Sequence, residues 1–218
     1  MNGKIDIAAS LSADPPNNQA AVFFNAPNPS RYYTDFDGDA KSDFTIFRPN
    51  TGIWWTLFSK DSSYRAINFG LSSDKIVAGN YDGDGKTDVA VYRPSEGVWY
   101  IRLSSTGEAK LQQLGLTEDI PVQSDFDGDE KADIAVYRPS SSYSYILQSR
   151  SNSILYEKFG TAKDIPAPND FDGDNKSDIA VFRPSDGIWY MLKSKDGSFS
   201  SIKWGSVSDV PSLMSLDH

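Results

Sequence analysis

Four nine-residue stretches carry oxygen-bearing side chains at positions 1, 3, 5 and 9: Asp35, Asp37, Asp39 and Asp43; Asn80, Asp82, Asp84 and Asp88; Asp125, Asp127, Asp129 and Asp133; and Asp170, Asp172, Asp174 and Asp178. A loop of this kind wraps its oxygens around one point, and the main-chain carbonyl at position 7, that of Lys41, Lys86, Lys131 or Lys176, adds another ligand. Hard, all-oxygen coordination is what Ca²⁺ takes, whereas Mg²⁺ keeps more of its water and asks for fewer carboxylates. Asn80 stands in for the first acid of the second loop, and its amide oxygen still coordinates, with less charge. Turn preference accounts for one or two acids beside an Asp-Gly pair, not for four in nine residues. Without a cation these carboxylates would repel and raise one another's pKa. Fifteen of the thirty acidic residues occupy these positions, so four divalent ions would take the formal charge from -9 to -1. The sequence therefore predicts about four Ca²⁺ per chain.

The rest of the composition removes other chemistry. There is no cysteine, and the one histidine is His218, which excludes thiolate metal sites, cysteine nucleophiles, multi-histidine centres and the usual Ser/His/Asp arrangement. A net charge of -9 with no Lys/Arg cluster argues against nucleic acid and anionic membrane surfaces as partners. Met1 to Asn18 lacks the apolar stretch of a signal peptide, and no run approaches the roughly 18 apolar residues of a membrane span.

The loops recur every 45 residues, and so do Arg48, Arg93, Arg138 and Arg183, each followed by Pro, and Gly70, Gly115, Gly160 and Gly205. Within a unit the apolar runs are short, β-branched or aromatic, and bounded by Asp-Gly, Arg-Pro and Gly, which makes the units β. In the last complete unit four strands are expected: Asp164 to Phe171, Asp178 to Arg183, Gly187 to Lys193 and Ser198 to Gly205. Ile179-Ala180-Val181-Phe182 is apolar throughout, as in a strand covered on both faces. Four strands in about 45 residues match one blade of a β-propeller. The expected fold is thus all-β, a single propeller domain over 1–218 with repeat units at about 36–80, 81–125, 126–170 and 171–215. A fifth, composite blade is expected from 1–35 plus 206–218, because Asn2 to Ala8 reads like Asp84 to Ala90 and Asp209 to Asp217 reads like Asp164 to Asp172. Five blades would close the ring through both termini, with Asp217, Asn2 and Asp6 meeting at a fifth cation site. The other reading is a larger ring from which these ends are cut.

The Phe-Gly pairs Phe69-Gly70 and Phe159-Gly160, the Asp-x-Pro segments and the Asp-x-Asp-x-Asp loops resemble FG-GAP repeats, most closely the bacterial FG-GAP-like or VCBS variety, over almost the whole chain. The resemblance implies calcium-binding propeller blades in a secreted or surface-exposed protein that binds rather than catalyses. Leu114 and Trp204 depart from it where Phe would stand, and well-known members have seven blades.

Two readings of the remaining repeated residues stay open. The Arg-Pro arginines serve either as a structural ion pair or backbone clamp to a neighbouring blade, or as a fork for ligand carboxylates. Of Trp54-Trp55, Trp99-Tyr100 and Trp189-Tyr190, one ring of each pair is expected to pack between blades and the other to lie nearer solvent, available for stacking on sugars. In the third unit Ser142 and Ser144 replace the Gly and Trp of the others. The functional expectation is a noncatalytic, calcium-stabilised extracellular adhesion or binding propeller for a protein or glycan ligand, a monomeric ring without membrane insertion. The alternatives are a lectin-like carbohydrate-binding module, an accessory domain of a secreted polysaccharide-active enzyme, or a structural spacer. Ligand recognition is expected where the period breaks: Asp14 to Arg31, Ser141 to Tyr145, Trp55 and Trp204.

Overall fold

A computed structural model describes residues 34–207 and 209–211. Within them lie four antiparallel sheets that follow one another along the chain. The first has three strands, β1 (Phe44–Arg48), β2 (Ile53–Leu57) and β3 (Tyr64–Asn68). The second has β4 (Lys75–Ile76), β5 (Val89–Arg93), β6 (Val98–Arg102) and β7 (Ala109–Gln113). The third has β8 (Ile120–Pro121), β9 (Ile134–Arg138), β10 (Tyr143–Leu147) and β11 (Ile154–Lys158). The fourth has β12 (Ile165–Pro166), β13 (Ile179–Arg183), β14 (Ile188–Leu192) and β15 (Phe199–Lys203). In each sheet the strands lie side by side in sequence order, and the 45-residue register holds down to single pairs: Arg93 faces Val98 as Arg138 faces Tyr143 and Arg183 faces Ile188.

The expected opening strand, Asp164 to Phe171, is shorter than its apolar run. Only Ile165 and Pro166 pair as a strand, followed by a hydrogen bond from Ala167 N–H to Ala180 O and an isolated bridge between Asn169 and Asp178. Pro166 and Pro168 have no N–H to give to a ladder. The composite blade and the site of Asp217, Asn2 and Asp6 fall largely outside the described residues, as does the segment Asp14 to Arg31.

Alternation along the second strand of each full unit builds the core. Val89 and Val91 of β5 pack against Phe36 of the first acidic loop and Phe47 and Trp54 of the first sheet, while Ala90 and Tyr92 join Trp99, Ile134 and Val136 toward the third. The strand is therefore buried on both faces, as its unbroken apolar sequence requires. β1 differs: Phe44 and Ile46 remain 67% and 42% exposed, on the face opposite that which Phe47 packs against the second sheet.

Three of the four Arg-Pro arginines, Arg93, Arg138 and Arg183, act within their own sheet rather than upon a neighbour. Arg138 donates from Nε and Nη2 to the two carboxylate oxygens of Asp119 at 2.8 Å, and Arg93 with Asp74 and Arg183 with Asp164 repeat the fork. Each acid also accepts an N–H in the linker from the preceding sheet, from Leu71, Leu116 or Thr161, so the pair ties linker to sheet. The guanidinium lies over a ring two residues into the facing strand: 4.3 Å to Tyr100, 4.4 Å to Tyr145 and 4.3 Å to Tyr190. The paired side-chain hydrogen bonds of this fork raise the arginines' pKa further, so they stay charged.

The paired third-strand rings divide as expected in the first two units but not in the fourth, where Trp189 and Tyr190 are both half-buried. Trp54 and Trp99 are fully buried, whereas Trp55 and Tyr100 are half-buried. At Ser144 no ring stands, and a cavity of about 10 Å³ lies there, lined also by Phe126 and Pro168. Ser142 adopts φ 58°, the left-handed conformation that Gly52, Gly97 and Gly187 adopt at the same turn position with φ of 64–65°. A Cβ on those glycines would come within 2.4 Å of a carbonyl oxygen, which is why three units of four use glycine there.

Candidate metal centre

In the second, third and fourth sheets the acidic loop joins the first and second strands, and the first loop leads into β1; each is pinned at both ends. The position-9 carboxylates Asp43, Asp88, Asp133 and Asp178 are buried, and both oxygens of each accept main-chain N–H groups. For Asp133 these are Phe126 within the loop and Ser149 beyond β10, at 2.8 and 2.7 Å, and the other three repeat the pattern. At position 1, Asp35, Asp125 and Asp170 accept the N–H of the glycine three residues on and of the residue five on, folding the chain back over the site. Asn80 does the first of these with its amide oxygen, from Gly83 N–H at 2.8 Å.

The tight path requires left-handed backbone at positions 4 and 6. Position 4 is glycine in every loop. The side chain at position 7 of the next unit lies across it: a Cβ on Gly83 would meet Lys131 at 2.7 Å. At position 6 Gly85 fits, whereas Ala40, Glu130 and Asn175 hold φ of 64°, 69° and 68°. The loops also bond to one another, through Thr87 N–H to Asp35 O, Ala132 N–H to Asn80 O and Ser177 N–H to Asp125 O at 2.6–2.7 Å.

In three loops the carboxylates converge. Oxygens of Asp35, Asp37 and Asp39, of Asp125, Asp127 and Asp133, and of Asp170, Asp172 and Asp178 lie within 4.8 Å of one another. Several are buried without a hydrogen-bond partner: Asp127 Oδ1 and both oxygens of Asp172. Buried acceptors left empty are costly unless a cation takes them, and the donor set is all oxygen, so these residues fit a hard divalent ion. Burial, followed by the charge of neighbouring acids, pushes the carboxyls of Asp37 and Asp172 above their ordinary range. At Asp127 burial does the same, opposed by the Arg150 N–H. Burial also pushes Asp88 and Asp133 up to about 6 despite their N–H partners.

The second loop is different at position 3, where Asp82 accepts a hydrogen bond from Ser105 Oγ at 2.6 Å; the matching residues of the other units, Lys60, Arg150 and Lys195, have no hydroxyl. Burial raises Asp82, but hydrogen bonds from Ser105 and Asp84 together outweigh it and its carboxyl lies below the usual range.

The sequence reading missed a serine. Ser59, Ser104, Ser149 and Ser194, 45 residues apart, give their N–H to position 9, and the last three give Oγ to position 5. Ser59 Oγ is buried without a partner. The signal was present in the spacing.

No protein-family model and no curated protein sequence matches this chain. Among solved structures, a streptogramin B lyase aligns with 82% of this chain and 56% of its own, at TM-score 0.53 and 10% identity. A catalytically inactive virginiamycin B lyase from Staphylococcus aureus, solved with quinupristin, aligns with 83% of this chain and 58% of its own, at TM-score 0.50 and 11% identity. The chain spans a little over half the length of these lyases, and likeness at such identity concerns fold alone: an all-β, propeller-like array of repeated sheets.

Proposed function

We propose that this chain is a noncatalytic binding propeller whose blades are held by Ca²⁺, secreted or displayed at a cell surface, with a protein or glycan as its ligand. The observation that carries the reading is the convergence of three aspartates in each of three loops, with Asp127 Oδ1 and both Asp172 oxygens buried and unpartnered. In the third loop Asp125, Asp127, Asp129, Asp133 and the Lys131 carbonyl would hold the ion, and Asp35 to Asp43 and Asp170 to Asp178 would do so in theirs. A bound Ca²⁺ would supply charge neutralisation and cross-linking of the loop, not reaction chemistry. The residues themselves do the positioning: position 9 fastens the loop to the turn beyond the third strand, and position 1 curls it. The second loop would hold its ion less tightly, because Asn80 lowers the charge and Ser105 already serves Asp82.

Membership of the FG-GAP or VCBS-like family, and a ring of five blades closed by 1–35 and 206–218, belong to the same proposal. The apolar, exposed face of β1 at Phe44 and Ile46 supports a further blade packing there. The extracellular setting follows from calcium levels, since sites of the extracellular kind bind at about 10⁻⁴ to 10⁻³ M. The lyases similar in fold are enzymes; the noncatalytic reading rests on acids that obey the period and are consumed by their own loops. Titration with CaCl₂, followed by calorimetry on protein freed of metal, tests the reading: at least three equivalents per chain are expected.

A further inference from the structure

Departures from the period stand out, and two of them meet in one place. β3 carries Arg65 where the other units have Lys110, Leu155 and Ser200, and β6 ends in Arg102 where they have Leu57, Leu147 and Leu192. Both arginines line a cleft of about 340 Å³ between the first and second sheets, whose walls include Ile67, Thr87, Val89 and Ser104. That size lies at the small end of ligand sites, which take an apolar wall with a few convergent polar groups.

Among the described residues no carboxylate forms an ion pair with Arg65 or Arg102, in contrast to the forked Arg93, Arg138 and Arg183. Arg65 Nε is buried with no hydrogen-bond partner. The Phe58 ring, 5.3 Å from the guanidinium carbon, supports it from one side. Burial and then the charge of Arg102 lower the pKa of Arg65, while Asp43 and Asp37 act in the opposite sense. Those two acids are committed elsewhere: Asp43 to the N–H groups of Phe36 and Ser59, Asp37 to that of Asp39. Two like charges thus share a cleft with no carboxylate in direct contact with either, and an anion that joined them would relieve their repulsion.

We propose that this cleft binds an oxyanion, the sulfate or carboxylate group of a small acidic ligand, with Arg65 and Arg102 donating to its oxygens. A guanidinium offers several N–H donors in a planar fork that matches both groups. The inference deepens the binding reading above and rests on it, placing a ligand of defined charge at a position that differs between blades. An acidic chain that excludes anions over most of its surface would admit one here.

The test is calorimetric titration with sodium sulfate and, separately, sodium glucuronate at fixed ionic strength, with glucose as the neutral control. Wild type is compared with Arg65→Leu and Arg102→Leu. Leucine already stands at the matching positions Leu155 and Leu57, so both variants should fold, which circular dichroism and a melting curve verify. Saturable binding of at least one anion, weakened about tenfold or more in each variant and absent with glucose, is the expected result. Sulfate alone would assign a tetrahedral group and glucuronate a carboxylate; either upholds the site. No saturable binding of either anion, or binding that survives in both folded variants, overturns it. Such a failure in protein that still titrates with CaCl₂ removes this cleft alone, whereas loss of calcium binding with the anion still bound removes the cation reading and leaves the cleft standing.

Discussion

Removing the guanidinium of Arg138 tests whether the repeated Arg-Asp fork holds the linkers between sheets. Asp119 has no exposed side-chain surface, and its partner is 20% exposed. Arg138→Ala leaves that carboxylate with only the Leu116 N–H at 2.8 Å and strips the cation from over Tyr145. Breaking a buried pair from one side costs about 3–5 kcal/mol, and the partial exposure of Arg138 reduces this to about 2–4 kcal/mol. For a chain of this size each kcal/mol moves the melting temperature by about 2–4 °C, so a fall of about 4–16 °C is expected in scanning calorimetry. A double-mutant cycle with Asp119→Ala isolates the pair from the ring contact. The double variant should be less damaged than the sum of the single ones by about 1–3 kcal/mol. A loss below about 1 kcal/mol for Arg138→Ala, or strict additivity, would refute the claim that the fork is a structural clamp.

Three further predictions concern strain, packing and protonation. Glu130→Gly and Ser142→Gly relieve left-handed backbone at φ 69° and 58° and should each raise stability by about 1 kcal/mol in urea unfolding; a loss would mean that the side chain compensates for the strain. Ser144→Trp, which restores the ring of the other units, should destabilise by about 1–3 kcal/mol, because the cavity there is only about 10 Å³, far too small for an indole. In EDTA, Asp88 and Asp133 with carboxyls at about 6 against an ordinary 3.8 bind more protons folded than unfolded, so the stability they contribute is present below about 4 and lost as pH rises through 6. The change in melting temperature between pH 5 and 7 should accordingly be smaller in Asp133→Asn, and an unchanged slope would contradict the assignment.

Much of this was legible because the 45-residue period repeats each decision four times. The second strands fall at Val89–Arg93 and Ile134–Arg138 because an unbroken apolar run has two faces to bury, and packing supplies both. The acidic loops were legible because four ligand positions in nine residues have few uses. The partner of the arginines was not read, although Asp74, Asp119 and Asp164 also stand 45 apart; local spacing does not reveal that a linker 19 residues earlier folds back onto the strand end. The short first strands escaped because an apolar segment with prolines reads as strand while lacking the donors for a continuous ladder. Arg65 and Arg102 escaped because they lie far apart in sequence and meet only when one sheet's outer strand faces the next sheet.

The cation centres are tested most directly by calorimetric titration of CaCl₂ into metal-free protein, with Asp172→Asn alongside. That variant keeps the size of the side chain and removes the charge whose oxygens are buried without a partner. Wild type should take up at least three equivalents, with the second loop the weakest, and its melting temperature should rise by many degrees, since each site filled at ten times its dissociation constant adds about 1.4 kcal/mol. Asp172→Asn should bind one equivalent fewer while remaining folded. Fewer than three equivalents in wild type, or an unchanged count in the variant, would contradict the account.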